Sequence, residues 1–266
     1  MTSGRRNGKR GIALAGGGPL GGIYEVGALL ALERALKGLE LTECDVYVGV
    51  SSGSFVAAAL ANGISPSEMY AMFILDRGRH DPFAPDLLLH PAFGEFARSL
   101  WRLPELIQAA ASAYFSAASV HGFFESFLKL ARGLPNGLFD NDALAAYLAR
   151  LLSQPGRTDD FRRLKHQLFI VAADLDSGKS TPFGAPGLDH VPISQAVKAS
   201  TALPGLYPPA RIGDRDYIDG AMKRTLAAPI ALKAGAKLLI CVNPLVPFDA
   251  DLAARRGGGL LIVDSP

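Results

Sequence analysis

Cysteine is almost absent: Cys44 and Cys241 are the only two in 266 residues. Each sits in or beside an expected strand. Two separate buried thiols are therefore predicted rather than a disulfide, and no zinc-site spacing exists. Histidine is scarce as well. His80, His90, His121, His166 and His190 are scattered, and no two share a helix face at ligand spacing, which argues against a metal centre. A net charge of +2 is too small to support a nucleic-acid-binding surface. The basic cluster Arg5, Arg6, Lys9 and Arg10 reads as a solvated tail. Long apolar runs are also missing. Residues 106–124 lack Asp, Glu, Lys and Arg, but Gln108, Ser112, Ser116, Ser119 and His121 interrupt them. A buried or interfacial helix fits them better than a membrane span. Gly11–Ala15 is too short for the apolar core of a secretion signal. The expectation is a cytoplasmic protein that touches membrane at most peripherally.

What the chain does have is an ordinary globular balance, 49% hydrophobic and 20% charged, with length for one large α/β domain or two small ones. Gly11–Ala15 reads as a buried strand because it is continuously apolar. Ile23–Lys37 reads as a helix with a broad apolar face. Asp45–Val50 is a second strand, followed by an Ala-rich helix that ends at Asn62-Gly63. Ser65-Pro66 starts a further helix, and Asn141 or Asp142 caps another that runs to about Leu152. Later come a strand at Gln167–Ala173, a turn at Asp174–Gly178 and a returning strand at Lys179–Phe183. A helix at Ile193–Thr201, a short strand at Asp216–Ile218 and a strand at Lys237–Val242 complete the series. This alternation predicts an α/β fold, a mostly parallel central sheet with helices on both faces. Residues 1–10 are expected to form a disordered basic tail and residues 11–245 the functional domain. Within it, 76–140 form a Phe-rich helical cap or lid. Residues 246–266, ending in the apolar Leu260–Val263, have the look of a truncated C-terminal segment.

The chemistry centres on Gly49-Val50-Ser51-Ser52-Gly53. A β-branched strand precedes it and an Ala-rich helix follows, the setting of a nucleophile elbow. Gly49 and Gly53 fit places where strand and helix approach too closely for a side chain. The helix start beside Ser51 offers free N–H groups and a positive dipole end to an oxyanion. Upstream, Gly16-Gly17-Gly18-Pro19-Leu20-Gly21-Gly22 brings backbone close to something. It has no Lys-Ser/Thr ending and no acidic partner of a nucleotide cradle. Downstream, Asp219-Gly220-Ala221 puts a carboxylate at a strand end, where α/β sheets carry their sites. Nucleophile, base and oxyanion loop are thus available without histidine. Asp174 or Asp176 with His190 is the one ordering that would make a histidine triad, although Asp174 reads first as a turn former.

These blocks, in this order, resemble the patatin-like phospholipases. The matching segments are Gly16–Gly21, Gly49–Gly53, Ala173–Gly178, Ala199–Pro209 and Asp219–Ala221, within a span of about residues 11–245. The resemblance implies a three-layer α/β/α fold and a Ser51–Asp219 dyad. It implies an oxyanion hole in Gly16, Gly17 and Gly18, with the N–H groups of Gly17 and Gly18 as donors. Gly49, Gly53 and Gly220 support the motifs. The implied activity is hydrolysis of lipid carboxylic esters through an acyl-enzyme, with no metal or other cofactor. Two departures stand out. Leu20 occupies a position where the family usually has Arg or Lys. The segment Met222–Pro229 lacks the family's Asn-x-Pro, and Lys223 or Arg224 is a candidate substitute cation. The Leu20 departure bears on phospholipid preference more than on ester hydrolysis. A histidine-triad esterase and a catalytically inactive lipid-binding module are the alternative readings.

Overall fold

Eight strands join in one sheet in the computed structural model, which describes residues 8–73, 141–245 and 260–264. The expected cap, 76–140, the first seven residues and most of the C-terminal segment lie outside the described residues. In chain order the elements are β1 (Lys9–Leu14), α1 (Gly18–Ala35), β2 (Val46–Val50), α2 (Ser52–Ala61) and α3 (Pro66–Phe73). Then come α4 (Asp142–Leu152), β3 (Gln167–Asp174), β4 (Ser180–Phe183), α5 (Ile193–Ser200), β5 (Ala210–Ile212) and β6 (Arg215–Asp219). The series ends with α6 (Ala228–Lys233), β7 (Ala236–Val242) and β8 (Leu260–Asp264).

The strands β7, β1, β2 and β3 are parallel and form the centre of the sheet. Antiparallel strands flank them: β8 pairs with β7, β4 and β6 pair with β3, and β5 pairs with β6. Side chains alternate strictly across this sheet. Ile12, Leu14, Tyr47, Leu168, Ile170, Ile240 and Val242 join a core with Leu29 of α1, Leu60 of α2, Met69 of α3, Leu148 of α4 and Val197 of α5. The alternate residues Ala13, Val46, Val48, Val50, Val171, Leu239 and Cys241 face Ala231 of α6 on the opposite side. The period of two along each strand makes the layering, because a covered sheet needs apolar residues on both faces. This is the three-layer α/β/α arrangement that the alternation of elements predicts. Cys44 and Cys241 are free and buried.

Several boundaries differ from the sequence expectation. β1 begins at Lys9, inside the expected tail, because Arg10 is tied down. Its N–H donates to Asp45 Oδ2 at 2.7 Å and its guanidinium to the Glu43 carbonyl at 2.9 Å. α1 begins at Gly18 instead of Ile23, since Pro19 suits the first helical turn. Gly21 and Gly22 therefore belong to the helix rather than to a loop. A Cβ at Gly21 would sit 3.1 Å from Pro244 Cγ, so close packing explains the glycine there. β5, which was not anticipated, forms a hairpin with β6. The apolar Leu260–Val263 stretch pairs antiparallel with β7 as β8.

One buried side chain works against the core. Glu25 of α1 is 0% exposed, and neither carboxylate oxygen has a hydrogen-bond partner among the described residues. Burial pushes its pKa well up. The nearby Ala15 amide offsets little of this, being bonded to the Val242 carbonyl. A raised acid pKa means that the native state holds the proton longer than the unfolded chain, so the penalty grows as pH rises past the ordinary Glu value. Replacing Glu25 by Met, of similar length, is expected to stabilise the protein by on the order of 1–3 kcal/mol at pH 8. The gain should shrink toward pH 4. Denaturant melts at the two pH values test this, and an equal or negative shift at pH 8 would count against it.

Candidate active site

Val50 is the last residue of β2 and Ser52 the first of α2, so Ser51 alone makes the turn between them. It does so at φ 52° and ψ −125°, and it is the only non-glycine residue with positive φ among the described residues. Such a conformation costs about 1–3 kcal/mol and persists only where its surroundings hold it. The surroundings do so in two ways. A Cβ on Gly49 would lie 2.4 Å from the Gly53 carbonyl oxygen, and one on Gly53 would lie 2.7 Å from the Ala15 carbonyl oxygen. Only glycine allows strand and helix to close this far. Hydrogen bonds then pin the serine itself. Its N–H donates to Ser200 Oγ at 2.9 Å, and Ser200 Oγ donates to the Val171 carbonyl at 2.7 Å. Its carbonyl accepts from the Ser54 N–H at 2.9 Å and from the Ser54 hydroxyl at 2.5 Å.

The sheet brings the acid to this serine. β4 pairs with residues 170–173 of β3 along one edge of that strand. The other edge is shared end to end. β2 runs along it until Val50 faces Val171, and β6 comes from the opposite direction until Asp219 faces Ala172. Ser51, one residue past the end of β2, meets Asp219, the last residue of β6. Ser51 Oγ donates to Asp219 Oδ2 at 2.6 Å, although the two are 168 residues apart in sequence. Asp219 Oδ1 accepts from the Ala221 N–H at 2.8 Å, and the Asp219 N–H donates to the Ala202 carbonyl at 2.9 Å. A Cβ on Gly220 would lie 2.1 Å from the Val171 carbonyl oxygen, so this turn too depends on glycine. The carboxyl is 2% exposed. Burial pushes its pKa up to about 7, outweighing the downward pull of the Ser51 and Ala221 hydrogen bonds.

The glycine loop follows β1 and borders the same spot. A Cβ on Gly16 would lie 2.9 Å from both Ser51 Cβ and Ala221 Cβ. The N–H groups of the loop are not equivalent. That of Gly16 donates to the Thr225 carbonyl at 2.9 Å, in keeping with an expected donor pair of Gly17 and Gly18 that leaves it out. That of Gly17 donates to Ser52 Oγ at 3.1 Å. Gly18, at φ 62°, opens α1, and Ser52 opens α2, so neither N–H has an acceptor within its own helix.

The other sequence candidates fall away from this centre. The Asp174 carboxylate accepts from the Ser177 N–H at 2.8 Å and from Arg215 at 2.7 Å, and these two partners hold its pKa at about 2. It is a turn former and an ion-pair partner. His190 is exposed, and the Ser51 hydroxyl is already bonded to Asp219, so the histidine triad has no geometry to rest on. His166 lies at the start of β3, edge-on to Tyr47 and 3.7 Å from Glu43. A surface concavity lined by Leu152, Arg157, Asp159, Arg163 and Pro192 contains none of the site residues.

Ser200, Ser52 and Ser54 were not singled out from the sequence. Ser200 stands in the Ala199–Pro209 block, where α5 ends between the elbow and the acid. That helix end holds both: Ser200 takes the Ser51 N–H, and the Ala202 carbonyl takes the Asp219 N–H. Replacing Ser200 by Ala leaves the buried Ser51 N–H without its acceptor. The expected cost is about 1–3 kcal/mol of stability. A drop in kcat should accompany it, because the strained serine loses a restraint. Thermal melts with ester kinetics check this; an unchanged melting temperature would remove Ser200 from the account.

Among the described residues, no helix is long and apolar enough to cross a membrane. The chain is similar over 80% of its length to VipD from Legionella pneumophila, at 17% identity with a TM-score of 0.41. It is similar over 75% to the type III effector protein ExoU, at 23% identity with a TM-score of 0.38. In the complex of SpcU with ExoU from Pseudomonas aeruginosa the figures are 75%, 21% and 0.35. It spans 46%, 41% and 39% of those chains, less than half of each. The model of one family, described as patatin-like phospholipase, matches residues 12–232. That match takes in the glycine loop, the elbow and Asp219 together, and the chain therefore belongs to the patatin-like phospholipase family.

Proposed function

We propose that the protein is a serine acyl hydrolase that cleaves lipid carboxylic esters through a Ser51–Asp219 dyad. One observation carries the reading: a strained serine at a strand–helix elbow donates a 2.6 Å hydrogen bond to a buried carboxylate whose pKa is raised to about 7. An ordinary Asp, near pKa 3.9, is a poor base toward a hydroxyl. A base poised near neutrality is far better matched to proton transfer at physiological pH.

In this mechanism Asp219 takes the proton of Ser51 as Oγ bonds to the ester carbonyl carbon. The tetrahedral oxyanion sits at the N-terminal ends of α1 and α2, where the N–H groups of Gly18 and Ser52 point without helical partners. Gly17 joins them if Ser52 Oγ releases its N–H. Each such donor contributes about 3–4 kcal/mol to the transition state. The C–O bond to the leaving alcohol breaks, and the proton on Asp219 passes to that oxygen. Water then attacks the acyl-enzyme while Asp219 accepts its proton. Release of the acid returns the proton to Ser51.

The test uses wild-type protein beside Ser51→Ala and Asp219→Asn, each treated with a fluorophosphonate probe and assayed on a nitrophenyl ester. Wild type should label at Ser51 and turn over ester, Ser51→Ala should do neither, and Asp219→Asn should do both at least about a hundredfold more slowly. A folded wild type that takes no label and cleaves no ester would be a lipid-binding module instead. Activity that survives Asp219→Asn undiminished but not His190→Ala would restore the histidine triad. A panel of phospholipids and neutral glycerides then separates the two substrate classes.

A further inference from the structure

Ser51 and Asp219 are 6% and 2% exposed, so an ester must reach them past whatever borders the Gly16 loop. On one side is the start of α1. Leu20 there is 80% exposed, Ile23 50% and Tyr24 41%. Residues three and four apart share a helix face, so these make one apolar patch at the active-site end of the helix. On the other side is the turn after Asp219. The Gly16 N–H holds the Thr225 carbonyl, and the Gly16 Cα lies against Ala221. The residues between, Lys223 and Arg224, are exposed, and neither forms an ion pair with a described residue. Positive charge thus sits across the glycine loop from Leu20.

Exposed apolar side chains beside cations that form no ion pair with a described residue match one kind of partner. Cations meet the phosphates of an anionic bilayer while the apolar groups enter the headgroup–acyl boundary. We propose that Leu20, Ile23 and Tyr24, with Lys223 and Arg224, form a docking rim that seats the mouth of the active site on an anionic phospholipid surface. The proposal rests on the lipid-hydrolase reading above. It explains how a buried dyad receives a substrate that does not leave the membrane. Five side chains give a weak, reversible contact that salt loosens.

The test is vesicle flotation of the full chain carrying Ser51→Ala, so that no lipid is turned over. Vesicles of phosphatidylcholine alone are compared with vesicles of phosphatidylcholine and phosphatidylglycerol. Binding is expected to the mixed vesicles only, and to fall with salt. Lys223→Glu with Arg224→Glu should weaken it by at least about tenfold. Leu20→Ser with Ile23→Ser should weaken it by a similar factor. Melting temperatures of all variants report the fold, and Leu20→Ser alone keeps the test valid if the double variant does not fold. Absence of binding, or equal binding to both vesicles, overturns the proposal. So does unchanged binding by the Leu20/Ile23 variant with a lowered melting temperature, which would assign the patch to packing within the chain. Nitrophenyl ester cleavage by wild type without vesicle binding defeats only the rim. Vesicle binding without cleavage defeats only the hydrolase reading.

Discussion

Ser51→Gly is expected to lose on the order of 10⁶-fold in kcat and yet to melt at a higher temperature than Ser51→Ala, which loses the same hydrogen bond to Asp219. The two effects come from one residue's two roles. Without Oγ no acyl-enzyme forms, and what remains is the background that the oxyanion donors give to water attack. The backbone at φ 52° and ψ −125° is strained for any residue with a Cβ and is open to glycine. Relief of about 1–3 kcal/mol exceeds the roughly 0.5–1 kcal/mol that glycine costs through unfolded-chain entropy. Ser51→Ala is the control, equally inactive but retaining the Cβ and its strain. Parallel ester kinetics and calorimetry on the two variants test the pair of claims. If Ala melts as high as Gly, the elbow stores no strain.

Asp219→Asn is expected to cost about 10²–10⁴-fold in kcat/KM. Wild-type activity should rise with pH through about 7, as Asp219 loses its proton and becomes able to take that of Ser51. The residual activity of the Asn variant should lack that limb. Stability should move the opposite way. The folded pKa lies above the unfolded value, so the native state binds more protons between about pH 4 and pH 7. Stability from this group is full below that window and is lost as pH rises through it. By pH 8 the penalty is on the order of a few kcal/mol. Asp219→Asn removes the titration, so its melting temperature should match wild type near pH 4 and exceed it at pH 8. A wild-type rate that is flat between pH 5 and pH 8 would show that burial does not tune this carboxyl.

Much of the fold can be read from the chain because it follows from local rules. Continuous apolar runs marked β1, β3 and β7 as covered strands, and Asn62-Gly63 and Ser65-Pro66 punctuated the helices. Gly63 takes φ 78°, and Ser65 Oγ accepts the Glu68 N–H at 3.1 Å. The misreadings were local conflicts settled by distant contacts. Gly21 and Gly22 look like loop, but Pro244 packs where a Cβ on Gly21 would be and the segment is helical. Lys9 and Arg10 look like tail, but Asp45 and Glu43 draw Arg10 into the sheet.

The site divides along the same line. Ser51 and its two glycines can be identified in sequence because an elbow is a local object, strand, one residue and helix, and the steric demand falls on neighbours. Asp219 could be named from its motif and its resemblance, but nothing local says that it meets Ser51. That meeting depends on β2 and β6 ending head to head on one edge of β3, a pairing across 168 residues. Burial at that junction raises the pKa of this carboxyl to about 7. The selection among glycine N–H groups is likewise tertiary, since Gly16 is occupied by Thr225 and Gly17 by Ser52. Residue type and spacing are properties of the chain, whereas pKa, donor availability and exposure are properties of the environment, and the environment exists only once distant segments have packed.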